Sequence, residues 1–261
     1  MFEMFQNYNE PAQQHQGAGP SNQTFVLSVS GSSIVPDKIN TALIGKICNS
    51  INNLYSEGYK FALSVGGGKT CRDYASAVKA LGSNRFLQDL IGIEITRANA
   101  MLVINALDRA FPVVLSDLLR AREIIDAGKI PVYGGIIPGY TTDAVAAVLA
   151  EHLNATFINI TNVDGIYNLD PRISRSAKLI PKMSHEKLLA VIMRSAGESA
   201  EPGQNVVLDI PCALLLKRSK IRTFVLNAED TANLEAAVRG QEFKGTIVES
   251  ADAENDVPEE L

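Results

Sequence analysis

Glycines, hydroxyls and carboxylates gather in four segments of the chain, each placed after a stretch that is typical of a β-strand. In the second segment, Gly66-Gly67-Gly68 follows the strand, and Lys69 and Thr70 open a helix. Bare glycine lets an anionic group reach backbone N–H donors, and the start of a helix adds partial positive charge. Lys69 and Arg72 lie within one turn of the glycines and could add full charges. This segment predicts a site for phosphate or another oxyanion, with a tight turn that binds nothing as the alternative.

The triple-glycine segment fits neither of two common nucleotide-binding patterns. A Walker A loop requires a glycine five residues before Gly68, where the chain has Leu63. The dinucleotide pattern G-x-G-x-x-G would end at Cys71, which is not glycine. The segment is therefore a candidate phosphate site of another kind.

The other three segments also place small or polar residues after a predicted strand. The run 28–33, Ser-Val-Ser-Gly-Ser-Ser, could cradle phosphate or form an ordinary turn. The run 134–143 precedes an apolar helix; its last three residues could simply cap that helix, but capping does not explain the long glycine-containing loop before them. The run 161–171 contains Asp164-Gly165 and Asp170-Pro171, which could be no more than two turns.

Taken together, the four segments favour phosphoryl transfer. That reaction requires N–H donors and cations around a γ-phosphoryl group, and oxygen ligands for Mg²⁺. No Ser-His-Asp arrangement is recognisable, and the histidines (His15, His152 and His185) offer little general acid–base chemistry. In an open α/β sheet, ligands bind beyond the carboxyl ends of the strands. We therefore expect the four segments to converge on one site.

The elements that must position these segments alternate between β-branched runs and longer amphipathic runs. Apolar residues at Ile39, Leu43, Ile47, Ile51 and Leu54 have the spacing of a helix. The pattern predicts an α/β fold, a three-layer αβα sandwich with a mostly parallel central sheet. Strands are predicted at 25–29, 60–65, 112–115, 130–133, 156–160, 222–226 and 245–248. Helices are predicted at 37–55, 70–81, 84–107 (with a break), 116–127, 142–152 and 231–239.

Composition excludes several classes of function. The chain has 261 residues, with 24 Lys and Arg against 29 Asp and Glu. No basic stripe suits duplex nucleic acid, and no apolar run approaches the roughly 18 residues of a membrane helix. No signal peptide is recognisable. The three cysteines lack metal-site spacing, so we expect reduced thiols, no bound structural metal and a cytoplasmic protein (Cys48, Cys71 and Cys212).

The two ends differ from the body of the chain. Residues 1–23 are rich in Gln and Asn and lack Lys and Arg, which predicts a disordered arm. Residues 249–261 hold six acidic residues and no basic ones, which predicts a disordered acidic tail. Residues 24–248 are expected to form a single domain.

Five sequence blocks together resemble the amino-acid-kinase superfamily and, within it, the uridylate (UMP) kinases of archaeal type. They occur in the order typical of that family, and the resemblance covers about residues 24–248. The blocks are Val65–Lys69, Asp89–Ile93, Ile95–Ala100, Pro138–Ala147 and Thr161–Tyr167. The combination is specific, whereas any one glycine loop would not be.

The resemblance implies that ATP and UMP are converted to ADP and UDP with Mg²⁺, in a homohexamer. It also implies a UMP-binding lobe at 24–155 and an ATP-binding lobe at 156–248. The residues expected at ATP are Ser30, Gly31, Ser32, Gly68, Arg72, Thr161, Asn162, Tyr167 and Asp170. Those expected at UMP are Gly67, Asp89, Ile137, Pro138, Gly139, Tyr140, Thr141, Thr142 and Asp143, with Asp89 on the ribose hydroxyls.

Three residues are expected to act in the transfer itself: Lys69, Arg72 and Asp143. Lys69 is a phosphate-charge candidate on its own position and charge, and Asp164 is a candidate organiser of its loop or of the metal. UMP already carries a competent nucleophile, its phosphate oxygen, so no general base is required.

The chain departs from the superfamily pattern at several positions. Many superfamily kinases carry a lysine where this chain has Ser28, paired glycines where it has Ser30-Gly31, and a lysine at a later helix position occupied by Leu214. These departures leave open a non-catalytic nucleotide- or oxyanion-binding relative. A kinase for another substrate is a further alternative; isopentenyl phosphate kinases carry a histidine at the end of the glycine loop, where this chain has Lys69-Thr70-Cys71.

Overall fold

The computed structural model describes residues 23–169, 171, 174–198 and 207–250. Their strands form one sheet of seven, in the order β3-β2-β1-β4-β6-β7-β5. The strands are β1 (Thr24–Val29), β2 (Lys60–Val65), β3 (Val132–Tyr133), β4 (Thr156–Thr161), β5 (Lys182–Met183), β6 (Thr223–Asn227) and β7 (Thr246–Val248).

Strand pairing in the described part of the chain is parallel except between β6 and β7, which confirms the predicted mostly parallel sheet. The strand order reverses between β1 and β4, which are neighbours in the sheet. Loops that leave the carboxyl ends of such a pair diverge to opposite faces and open a crevice between them. The sheet therefore has a switch point beside β1, where the first predicted segment begins.

Nine helices pack around this sheet in the described residues. Most of the longer ones begin at a side chain that accepts a backbone N–H, as at Asn40, Asn84 and Thr141. The helices are α1 (Gly31–Ile34), α2 (Thr41–Ser56), α3 (Gly68–Ala80), α4 (Arg85–Ala106), α5 (Arg120–Asp126), α6 (Thr142–Leu153), α7 (His185–Glu198), α8 (Ile210–Arg218) and α9 (Thr231–Val238).

Two apolar cores lie on opposite faces of the sheet, which confirms the three-layer sandwich. Phe25, Leu27 and Val29 of β1 belong to a core that includes residues of α2, α4 and α9. Val26 belongs to the other core, with residues of α5, α6, α7 and α8. Alternate residues of a strand face opposite sides, so one strand contributes to both cores.

The clearest errors of prediction from the sequence concern short elements. The predicted strand 112–115 is wrong: the structure has one bridge, between Leu115 and Tyr133, and no strand. Pro112 has no N–H to donate, so the backbone bonds fall on either side, at Phe111 and Leu115. The expected break in helix 84–107 is absent, because α4 runs unbroken from Arg85 to Ala106. The very short β5 and helices α1 and α7 were not predicted, and α8 was anticipated only as a later helix around Leu214, without bounds.

Some expectations fall outside the described residues, namely the N-terminal arm before Gln23 and nearly all of the acidic tail. No described helix combines the length and the apolar character needed to span a membrane.

Candidate active site

Two of the predicted segments meet backbone to backbone at the end of β1 and β2. A Cβ added at Gly31 would lie 2.1 Å from the nitrogen of Gly68 and 2.5 Å from that of Gly67. Gly68 also has φ = +65°, a left-handed conformation that favours glycine. The first N–H groups of α3 have no intrahelical acceptor; that of Lys69 donates to the carbonyl of Val35 at 2.9 Å, and those of Gly67 and Gly68 lie beside Gly31. The single glycine after Ser30 is thus enough for close approach, and the donors suit an oxyanion.

A polar cavity of about 50 Å³ lies at the switch point. The structure brings together five predicted residues there, from loops that are distant in sequence. Its lining residues are Ser30, Ser32, Asp143, Asn159, Thr161, Asn162 and Val207. Ser30 and Ser32 also share a hydrogen bond of 2.8 Å between their hydroxyls. Hydroxyl, amide and carboxylate oxygens dominate this lining, which suits a charged, hydrated ligand.

Asp143 lies in the first turn of α6 and is held by β1 and β2. The Ser28 hydroxyl donates to its Oδ1, and the Ser64 hydroxyl donates to the carbonyl of Thr142 at 2.9 Å. Burial raises the pKa of Asp143 to about 7; the Ser28 hydrogen bond opposes that rise and nearby Asp209 adds to it. Among the described residues no cation forms an ion pair with Asp143, and the Ser28 hydroxyl is its hydrogen-bond donor.

Asp209 joins two helix starts at this site and was not predicted. The Thr141 hydroxyl donates to its Oδ2 at 2.6 Å, while its Oδ1 accepts the N–H of Cys212 at 2.7 Å and caps α8. Thr141 in turn caps α6 by accepting the N–H of Ala144 at 3.2 Å. The sequence Asp-Ile-Pro at 209–211 is a helix-start signal, and it could have identified the cap.

Helix α4 holds two of the four segments in place, the glycine turn 66–68 and the loop 134–143. Asp89 Oδ2 accepts the N–H of Gly139 at 2.9 Å, which ties the 134–143 loop to the helix. Asn99 donates to the carbonyls of Gly66 and Gly67 at 2.9 and 3.1 Å. Thr96 Oγ1 accepts the N–H of Gly135 at 2.7 Å. Thr96 and Asn99 lie within a block that carried the resemblance, and the structure assigns them a supporting role.

The two predicted cations differ sharply in their surroundings. Lys69 Nζ lies 2.6 Å from Asp73 Oδ2 and 4.0 Å from Asp37 Oδ1, and the Asp73 hydrogen bond raises its pKa. Arg72 is exposed on α3 and takes part in no ion pair among the described residues. The charge of Lys69 is therefore already balanced by carboxylates, whereas that of Arg72 is available to a ligand.

The segment after β4 is organised around Asp164. The amide of Asn227 donates to its Oδ1 at 2.8 Å, Tyr167 donates to its Oδ2 at 3.3 Å, and Lys244 Nζ lies 2.6 Å from Oδ2. These contacts, that of Lys244 first, lower the pKa of Asp164.

Asp170, predicted for the ATP side, lies outside the described residues. Ile137 and Tyr140 of the loop 134–143, predicted for the UMP side, are exposed.

A mostly parallel α/β sheet with phosphate-suited N–H groups and a polar switch-point cavity defines a nucleotide-binding phosphotransferase class. The chain belongs to the amino acid kinase family, whose sequence profile matches residues 23–227.

Within this family, the chain is similar to uridylate kinases along most of its length. It is 42% identical to a uridylate kinase of Thermococcus sibiricus over 226 residues, 86% of this chain and 98% of that one. It is 41% identical to a uridylate kinase of Pyrococcus abyssi over the same lengths. The crystal structure of uridylate kinase from Archaeoglobus fulgidus superposes with a TM-score of 0.76 at 36% identity, covering 86% of this chain and 99% of the other.

Proposed function

We propose that the protein is a uridylate kinase that transfers the γ-phosphoryl group of ATP to UMP, giving ADP and UDP. The observation that carries this proposal is the switch-point cavity. Ser30, Ser32, Thr161 and Asn162, expected on the ATP side, line it together with Asp143, expected on the UMP side. The relatives named uridylate kinase, similar over nearly their whole length, support the same activity.

The two substrates would occupy the two halves of the sheet. Residues 24–155 supply β1, β2 and β3, and residues 156–248 supply β4 to β7, so the halves meet at the switch point. We assign UMP to the first half, contacting α4 through Asp89 and the loop 134–143. We assign the ATP nucleoside to the second half, on the segment 161–167, with its phosphates over Gly31 and Gly68.

Transfer in this site would depend on positioning and charge. The UMP phosphate oxygen attacks in line, and N–H donors with Arg72 stabilise the charge on the transferred group. Asp143, at the start of α6, would orient the groups around the cavity. The oxygens of Asp143 and Thr161 fit Mg²⁺ arriving with ATP, which would neutralise phosphate charge; a hard cation of this kind takes few protein ligands when phosphates supply the others.

We further propose a homo-oligomer, a hexamer in keeping with the family resemblance, in the cytoplasm. Helices α3 and α4 pack together and expose large apolar side chains that a second copy could cover. They are Tyr74, Leu81, Phe86, Leu87 and Leu90, between 39% and 84% exposed.

The proposal is tested by measuring ADP release with ATP–Mg²⁺ and each nucleoside monophosphate in turn. Turnover with UMP well above that with CMP, AMP or GMP is the expected result. Binding of UMP or ATP without turnover of any monophosphate would instead identify a non-catalytic relative. That alternative is suggested by serine rather than lysine at position 28.

A further inference from the structure

The segment 161–167 is fastened at both ends by β6 and β7. At its start, the N–H of Ala228, just after β6, donates to the carbonyl of Thr161 at 2.7 Å. Near its end, Thr246 Oγ1 of β7 accepts the N–H of Ile166 at 2.8 Å. Thr246 is fully buried, and a Cβ added at Gly165 would lie 2.7 Å from its hydroxyl. Between these two points, in the stretch that includes Asn162, the side-chain contacts of the segment are made by Asp164.

Lys244 supplies the one cation that holds the middle of that segment in the described part of the chain. Its Nζ lies 2.6 Å from Asp164 Oδ2, and its side chain is 65% exposed. Its backbone is fixed separately, because its N–H donates to Asn233 Oδ1 of α9 at 2.8 Å. The side chain therefore reaches to Asp164 from an anchored position.

The antiparallel direction of β7 explains why Lys244 lies at the site. In a parallel arrangement, residues that precede a strand lie at the edge opposite the carboxyl ends of its neighbours. β7 runs antiparallel to β6, with Val225 opposite Thr246, so the residues just before β7 lie at the edge where β4 and β6 end. The one reversed pairing in the described sheet thus brings a lysine to the ligand-binding edge.

We propose that Lys244 is a positioning residue for ATP. It acts through Asp164, holding the segment 161–167 in the form that presents Thr161, Asn162 and Tyr167 to the nucleotide. This inference rests on the proposed function only in naming ATP as the nucleotide. Without the ion pair Asp164 keeps only the hydrogen bonds from Asn227 and Tyr167. The middle of the segment then gains some conformational freedom, which has to be lost again when ATP binds. UMP is assigned to the other half of the sheet, so its binding should change little.

The test compares Lys244→Gln and Lys244→Arg with the unchanged protein, and uses Lys182→Gln as a matched control. Lys182 forms an ion pair of similar length and exposure, 2.7 Å from Glu249 with 62% side-chain exposure, but in β5 at the far edge of the sheet; Glu249 also contacts Arg222 at 3.4 Å. KM is measured for ATP and for UMP, and Kd is measured for a non-hydrolysable ATP analogue by calorimetry. Thermal unfolding verifies that each variant is folded.

For Lys244→Gln we expect KM for ATP and Kd for the analogue to rise about two- to fivefold, the size appropriate to an exposed ion pair. KM for UMP should stay unchanged, Lys244→Arg should restore ATP affinity, and the difference from the unchanged protein should narrow at high salt. Lys182→Gln should leave all three constants unchanged.

Three outcomes would overturn the proposal: equal changes in both KM values, no change in analogue binding, or the same effect from Lys182→Gln. Analogue binding also separates this proposal from the proposed function. A protein that binds the analogue but never phosphorylates UMP contradicts only the function, and the effect of Lys244→Gln on Kd still decides the role of Lys244. A protein that does not bind the analogue contradicts both.

Discussion

Asp143 is a carboxylic acid whose ordinary ionisation the fold opposes. Burial raises its pKa to about 7 from 3.8; the hydrogen bond from the Ser28 hydroxyl opposes that rise and the nearby Asp209 adds to it. A lysine in place of Ser28 would favour the charged form and lower that pKa. This carboxyl therefore titrates close to neutral pH, and a bound cation would shift it toward the carboxylate.

This pKa predicts a pH-dependent stability. Between about pH 4 and 7 the unfolded chain has lost the Asp143 proton while the native protein retains it, so this residue lowers stability as pH rises. The loss is at most about 1.4 kcal/mol per pH unit and is complete above about pH 7. In urea unfolding, the stability of the unchanged protein relative to Asp143→Asn should therefore decrease from about pH 5 to 7 and then level off. Parallel curves for the two proteins would contradict the raised pKa.

The contrasting surroundings of Lys69 and Arg72 predict unequal effects on catalysis. Arg72 takes part in no ion pair among the described residues, whereas Lys69 is balanced by Asp73 and Asp37. Arg72→Ala should lower kcat/KM about tenfold or more, because a charge-assisted contact to phosphate is lost. Lys69→Ala should lower it less than about threefold, since an exposed ion pair contributes little. A larger loss from Lys69→Ala, with both variants folded, would return Lys69 to the catalytic group.

At the scale of elements, the site depends on how closely the turns after β1 and β2 approach one another. Gly31 lies so near Gly67 and Gly68 that no other residue fits without movement of the backbone. Helix α4 contacts the same region through Asn99, which donates to the carbonyls of Gly66 and Gly67. The turn after β1 and helix α4 therefore both position the N–H donors at the start of α3.

A substitution at Gly31 tests this packing, with Gly45 as the matched control. Gly31→Ala should destabilise the fold by about 1–3 kcal/mol, the typical cost of overpacking, and reduce activity with it. A Cβ at Gly45 of α2 would meet nothing within 4 Å, so Gly45→Ala should stabilise the protein by about 0.5–1 kcal/mol through helix propensity. Both effects are measured by chemical denaturation. An unchanged free energy of unfolding for Gly31→Ala would show that the turns after β1 and β2 can move apart to accept a side chain.

At the scale of the whole molecule, α3, Leu81 and α4 present a set of exposed large apolar side chains, the α3–α4 face. If copies of the chain cover it, a charge placed there should separate them. Leu87→Glu should reduce the mass measured by analytical ultracentrifugation, while Leu119→Glu, at a residue 71% exposed and outside that face, should not. An unchanged mass for Leu87→Glu would move the interface to another surface.

Much of the fold follows from local pattern in the sequence. The strand Lys60–Val65 was predicted with its observed bounds, and β1, β4, β6 and β7 agree within one residue at each end. Long periodic runs of apolar residues indicate which face of an element is buried, and glycines after strands indicate turns. Both signals lie in neighbouring residues, so these elements can be predicted without tertiary information. The strand predicted at 112–115 is wrong because strand pairing is not local: four apolar residues do not reveal whether a partner strand pairs with them.

What the sequence by itself determined is therefore the α/β class, the four ligand-suited segments and the family they resemble. Only the tertiary structure decided which side chains meet: Ser28 with Asp143, 115 positions apart, Thr141 with Asp209, 68 apart, and Lys244 with Asp164. Such pairs depend on strand order and strand direction, which local periodicity does not encode. Lys69 shows both cases: its nearer partner Asp73 is one turn away on α3 and is visible in the sequence, whereas Asp37, at 4.0 Å, comes near only through tertiary packing.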